Sequence, residues 1–142
     1  MIEWYKKVVF ENYVNFQGRA RRAEYWNFTL CNFLITLVLY IPIFLSIGTN
    51  PTEAPGAMFW IFYGLLMIYS LAVLLPSLGV AVRRLHDVGK SGWFLLLGLI
   101  PIVGGIILLV FMVTDSQPHE NQWGKNPKND FNELNDLGRT TY

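Results

Sequence analysis

The chain has 142 residues, 53% of them hydrophobic and only 15% charged, with a formal net charge of +1. A soluble domain of this size carries roughly 25% charged residues, so the composition excludes an ordinary water-soluble fold and fits a lipid-facing surface. The charges are also sorted: residues 25–52, 54–82 and 91–114 contain no Asp, Glu, Lys or Arg. Each of these gaps is long enough for a helix rising ~1.5 Å per residue to cross the ~30 Å hydrocarbon core of a bilayer. The expected fold is therefore an all-α, multi-pass membrane protein. One membrane domain is expected over residues 1–128, with a mobile polar tail over 129–142.

In chain order, the first sixteen residues read as an amphipathic helix. Ile2, Tyr5, Val9, Tyr13 and Phe16 recur at helical spacing, and Glu3 and Lys7 form a favourable i,i+4 pair. Gly18 breaks this pattern. The first span is predicted at about residues 26–47, where thirteen residues are Leu, Ile, Val or Phe. At about −0.3 to −0.6 kcal/mol each, these favour insertion by roughly 4–8 kcal/mol before polar penalties. Pro42 is expected to kink it. No cleavable signal peptide is expected, because the apolar run starts late and is longer than a signal core.

A Pro- and Gly-rich loop without Lys or Arg follows, then a second span at about residues 58–82 containing Pro76. Residues 83–92 form a short polar connector. The third span, at about residues 93–113, is interrupted by Gly98, Pro101, Gly104 and Gly105. One kinked crossing is the expected form, and two half-helices that dip in and return are the alternative. Basic residues gather before the first span and in the second loop, and basic loops stay cytoplasmic. The N-terminus is thus placed in the cytoplasm, and three crossings would export the tail.

Two polar motifs flank the spans. The first holds Arg19, Arg21, Arg22 and Glu24 just ahead of Tyr25 and Trp26; the second runs Arg83-Arg84-Leu85-His86-Asp87-Val88-Gly89-Lys90. Positive-inside anchoring accounts for the arginines, but it requires neither His86 nor Asp87. Arg suits phosphate because its fork binds two oxygens at once. Arg19, Arg21, Arg22, Arg83, Arg84 and Lys90 are therefore candidates for binding an anion or a lipid headgroup, with Glu24, Asp87 and His86 as ion-pair or structural residues. A third polar stretch, residues 115–127, is read as an interfacial exit segment with Trp123 at the membrane surface.

No nucleophile–base pattern, phosphate-binding loop, dinucleotide fingerprint or metal-ligand spacing occurs, so no catalytic residue, cofactor or metal is expected. With the tail exported, the bilayer would separate His86 from His119. Cys31 is the single cysteine and reads as a small core residue. The spans hold no ionisable side chain of the kind that ion-coupled transporters use.

The phrases Phe16-Gln17-Gly18-Arg19-Ala20-Arg21-Arg22, Arg83-Arg84-Leu85-His86-Asp87 and Ser91-Gly92-Trp93 resemble a bacterial family, domain of unknown function 805, the YhaH-like inner-membrane proteins. Ile100-Pro101-Ile102-Val103-Gly104 and Asn121-Gln122-Trp123-Gly124-Lys125-Asn126-Pro127 are similar to the same pattern. The resemblance covers roughly residues 8–128 and implies a small inner-membrane protein with no known activity. The functional expectation is non-enzymatic: an accessory protein whose cytoplasmic Arg-rich cluster binds anionic phospholipid or a partner protein, a second copy included. A membrane enzyme using His86 and Asp87, or a small oligomeric channel or transporter, is the alternative. No nucleic acid is expected.

Overall fold

The computed structural model describes residues 1–48, 52 and 54–129. Beyond Asn129, the tail expected to be mobile lies outside the described residues. The protein is all-helical. Helix α1 (Ile2–Lys6) runs directly into a π-helical turn (Lys7–Glu11). Helix α2 is Arg22–Gly48 and helix α3 is Ala57–Asp87. A 3₁₀ segment (Gly92–Leu99) and helix α4 (Val103–Val113) complete the order.

Helices α2 and α3, with 27 and 31 residues, are about 40 Å and 46 Å long. Only 6% and 28% of their most apolar stretches are buried inside the molecule. A core helix of a soluble protein would bury most of that surface, so lipid is the solvent these two helices are built for. Pro42 and Pro76 both lie inside continuous helix.

Both helices outrun the apolar segments that mark them in the sequence. Helix α2 begins at Arg22 instead of near residue 26, and α3 continues to Asp87 instead of stopping near residue 82. The extra turns carry the polar residues. Helix α3 ends in a Schellman cap: Lys90 N–H donates to Leu85 O at 2.8 Å and Gly89 N–H to His86 O at 3.1 Å. Gly89 supplies the left-handed residue this requires, at φ +77°.

The N-terminal helix is shorter than predicted, and the expected face is kept at Tyr5 and Val9, which pack against the core, but not at its ends. Val8 is fully buried with Ala20, Phe28 and Val80, while Ile2, on the first turn, and Phe16, beyond the end of the helix, are exposed. Tyr5 stacks on Phe28 at 5.5 Å, and its hydroxyl lies 3.1 Å from that of Tyr69, which donates to Asn32 Oδ1 at 2.5 Å. The Glu3–Lys7 pair does not form; Lys7 turns to Glu24 instead, at 3.5 Å. Gly79 lets the Asn15 carbonyl approach α3, since a Cβ there would stand 3.1 Å from that oxygen.

The third apolar segment takes the returning course. The 3₁₀ segment and α4 lie against each other: Phe94 meets Phe111 edge-on at 5.8 Å, and a Cβ on Gly98 would touch Leu108 at 3.3 Å. A Cβ on Gly104 would overlap the Leu97 carbonyl oxygen, so this close crossing needs glycine. The reversal falls at Ile100-Pro101-Ile102, with Ile102 at φ +66°, a conformation that costs a β-branched residue on the order of 1–3 kcal/mol. The two arms have 8 and 11 residues, which makes each about 16 Å long. Neither arm alone crosses a ~30 Å core. As a result, residues 114–129 lie at the same end of the molecule as Arg83–Asp87, opposite to the exported side expected for the tail: Gln117 N–H donates to Asp87 O at 2.9 Å.

Candidate functional site

The two arginine motifs, the base of the hairpin and the start of the tail meet in one polar cap. Three carboxylates organise it, and each lies between two cations. Glu24 of α2 accepts from Arg83 Nη1 at 2.6 Å and faces Lys7 Nζ at 3.5 Å. Asp87, at the end of α3, pairs through Oδ2 with Arg84, accepts there from Ser116 Oγ at 2.5 Å, and accepts through Oδ1 from Arg19 Nε at 3.0 Å. Asp115, in the tail, pairs with Lys128 and with Arg22 at 3.5 Å. The Lys128 ammonium, foremost, and the Ser116 N–H hold the Asp115 carboxyl below the usual carboxylate range. Each carboxylate therefore ties together segments distant in sequence.

Arg19 is the most fully used donor in the cap. Its side chain is 1% exposed. Besides Asp87 Oδ1, it donates to the carbonyl oxygens of Gln117 at 2.7 Å, His119 at 2.9 Å, Asp87 at 3.2 Å and Gly124 at 3.4 Å. One guanidinium thus binds the Gly18–Ala20 loop, the end of α3 and the tail. Only a planar fork with five N–H groups can do this.

Arg84 closes the other side. It is fully buried and donates to Met112 O at 3.3 Å and to Thr114 O. Arg22 Nη1 donates to Val113 O at 3.2 Å and Trp26 Nε1 to Met112 O at 3.3 Å. These are the last carbonyls of α4, which have no partner within the helix. Two guanidinium groups at this end also complement the negative pole of the helix dipole. The hairpin's return end is therefore fixed electrostatically to the cap.

His86 is buried, with Nδ1 donating to Gly18 O at 3.1 Å and its ring stacked on Trp123 at 4.4 Å. Asn121 Nδ2 donates to the His86 carbonyl at 2.9 Å. Trp123, expected at the membrane surface, is thus a lid on the histidine. A shallow pocket of about 420 Å³ lies beside it, lined by Phe16, Gln17, Gly18, His86, Gln122 and Trp123. Adjacent residues on a helix point about 100° apart, and His86 and Asp87 accordingly face different partners, without a hydrogen bond between them. His119 lies at the same end as His86, through its carbonyl on Arg19.

The remaining candidates are more peripheral. Arg21 lies over the Trp4 ring at 5.6 Å. Lys90 sits over the rings of Phe94 and Phe111, at 5.8 and 5.6 Å, at the mouth of the hairpin. Sequence reasoning gave no role to Ser116, Gln117 or Asn121. Their contacts depend on the tail's return, which the polar stretch 115–127 does not by itself reveal. Among the described residues, no group of three or more His, Cys, Asp or Glu side chains could hold a metal ion.

Fold and site together define a small polytopic helical membrane protein with an ion-paired cap at one end. The chain belongs to the DUF805 family of proteins of unknown function, whose profile it matches over residues 13–125. It is 42% identical over 127 residues to the inner membrane protein YhaI of Escherichia coli (strain K12), a match covering 89% of this chain and 97% of that one. It is equally similar to the inner membrane protein YhaH of the same organism, at 42% identity, with 89% and 98% covered. No solved structure matches the chain.

Proposed function

We propose that this is a non-enzymatic protein of the bacterial inner membrane whose cap lies on the cytoplasmic side and holds anionic phospholipid headgroups. The surplus of positive charge in the cap carries this reading. Two cations surround each of the three carboxylates, so every cluster keeps a net positive charge. Outside the apolar segments, the described residues include ten basic and six acidic side chains. Basic ends stay cytoplasmic, which favours an inner-side location for the cap, with the Arg83–Lys90 turn and the docked tail.

The arginines divide their labour. Arg19, Arg83 and Arg84 are buried and build the cap. Lys7 and Arg22 keep 44% of their side chains exposed, and Lys90 stands at the hairpin mouth; these are the groups that reach headgroups. Near an anionic surface each contributes about 1 kcal/mol. The test is the phospholipid content of protein purified in mild detergent, read by mass spectrometry. The triple variant Lys7→Gln/Arg22→Gln/Lys90→Gln is expected to retain several-fold less phosphatidylglycerol and cardiolipin than the parent. Equal retention contradicts the proposal.

A further inference from the structure

We infer that the molecule is a wedge that occupies the cytoplasmic leaflet more fully than the outer one, and that it therefore seeks or generates membrane whose cytoplasmic face is convex. This rests on the placement of the cap and hairpin given above. Helices α2 and α3 are about 40 and 46 Å long and cross the whole core, whereas the hairpin arms, at about 16 Å each, reach only the midplane of a ~30 Å core. The tip is apolar and open to lipid: Ile100 is 49% exposed and Ile102 81%. A tip of this kind belongs in hydrocarbon, and the cap fixes the side from which it enters.

Helix α1 widens the same half. Its Tyr5 stacks on Phe28, and Met1, Ile2 and Tyr5 share an apolar cleft of about 320 Å³ with Cys31, Leu34 and Ile35. Leu34 lies nine residues beyond Tyr25, where the charge-free stretch begins, about 14 Å along α2, so α1 too reaches no deeper than about the midplane. The cap-side leaflet thus holds the two spanning helices, both hairpin arms and α1. Among the described residues, the opposite leaflet holds the two spanning helices alone. With each helix about 10 Å across, five rods against two make the cross-section about two and a half times larger in one leaflet than in the other. Lipids around such a shape relax when the wider leaflet is on the convex side.

The test uses the full chain carrying Cys31→Ala/Gln122→Cys, reconstituted into neutral phosphatidylcholine vesicles extruded to a series of diameters. The absence of anionic lipid separates shape from charge. A membrane-impermeant maleimide counts the chains whose cap faces outward, the convex side. The outward-to-inward ratio should rise by about twofold or more between the largest and the smallest vesicles, as a population follows a differential energy. A ratio independent of diameter, with the protein shown to be folded by its thermal transition, overturns the wedge. A parallel Cys31→Ala/Lys90→Cys sample reports whether the α3 turn and the tail share a side. Opposite sides would overturn the topology and the wedge with it, whereas a shared side with a flat ratio overturns the wedge alone.

Discussion

Arg19 makes the most exacting test of how the cap is held. Replacing it with Ala removes one ionic bond to Asp87 and four bonds to backbone carbonyls, from a side chain that is 1% exposed. A hydrogen bond to a charged partner contributes roughly 1.5–3 kcal/mol. Removing one member of a buried ion pair costs about 3–5 kcal/mol when the other charge is stranded. Asp87 is not stranded here, because Arg84 and Ser116 still contact it. Some of the freed carbonyls lie near solvent and regain water. The expected loss is therefore near the bottom of the range, about 3 kcal/mol, or on the order of 10 °C in the midpoint. The assay is thermal unfolding in detergent, followed by a thiol-reactive dye at Cys31, the single and buried cysteine. Arg19→Lys should fall between the two, since an ammonium has three donors and no fork. A midpoint for Arg19→Ala within a degree or two of the parent would refute the assignment of Arg19 as the tie between loop, α3 and tail.

Two further outcomes follow from the same geometry. Glu24→Gln leaves Arg83, only 3% exposed, without its counter-charge and should cost about 3–5 kcal/mol, while Glu24→Leu/Arg83→Met should be milder than Glu24→Gln in the same melt. Asp115 has a lowered pKa when docked, so it favours the docked tail at and above the ordinary carboxylate range, and that contribution fades as pH falls through the lowered value. A spin label at Gln122 should accordingly gain mobility on acidification. Lys128→Gln removes the largest cause of the shift and should move that gain to higher pH; an unchanged profile would exclude the Lys128 contact as its origin.

The apolar segments were legible because lipid imposes a simple demand, namely long stretches without charge. The helix ends were not, because hydropathy marks a change of solvent and not the last helical residue. Arg22, Glu24, Arg83, Arg84, His86 and Asp87 all lie on helix beyond the apolar boundary. The meeting of the two arginine motifs could be read from charge sorting. Burial of Arg19 and Arg84 could not, because it depends on a tail that comes back. Gly98, Pro101, Gly104 and Gly105 marked an interruption in the third segment. Whether such an interruption is a kink or a reversal depends on contacts such as Phe94 with Phe111, seventeen positions apart. The face of the N-terminal helix was legible at Tyr5 and Val9, which pack on the core, but not its end: a π turn closes the run at Glu11, and Phe16 lies beyond it.

The return of the third segment is what gathers hairpin, tail and arginines at one end, and it can be measured directly. In a Cys31→Ala background, Phe94→Cys and Phe111→Cys are joined in native membranes with a short bis-maleimide, and the intramolecular product is read by mass. The facing arms predict an efficient cross-link. A single continuous helix would hold these positions about 26 Å apart, and the absence of any cross-link at full labelling of both cysteines would contradict the account.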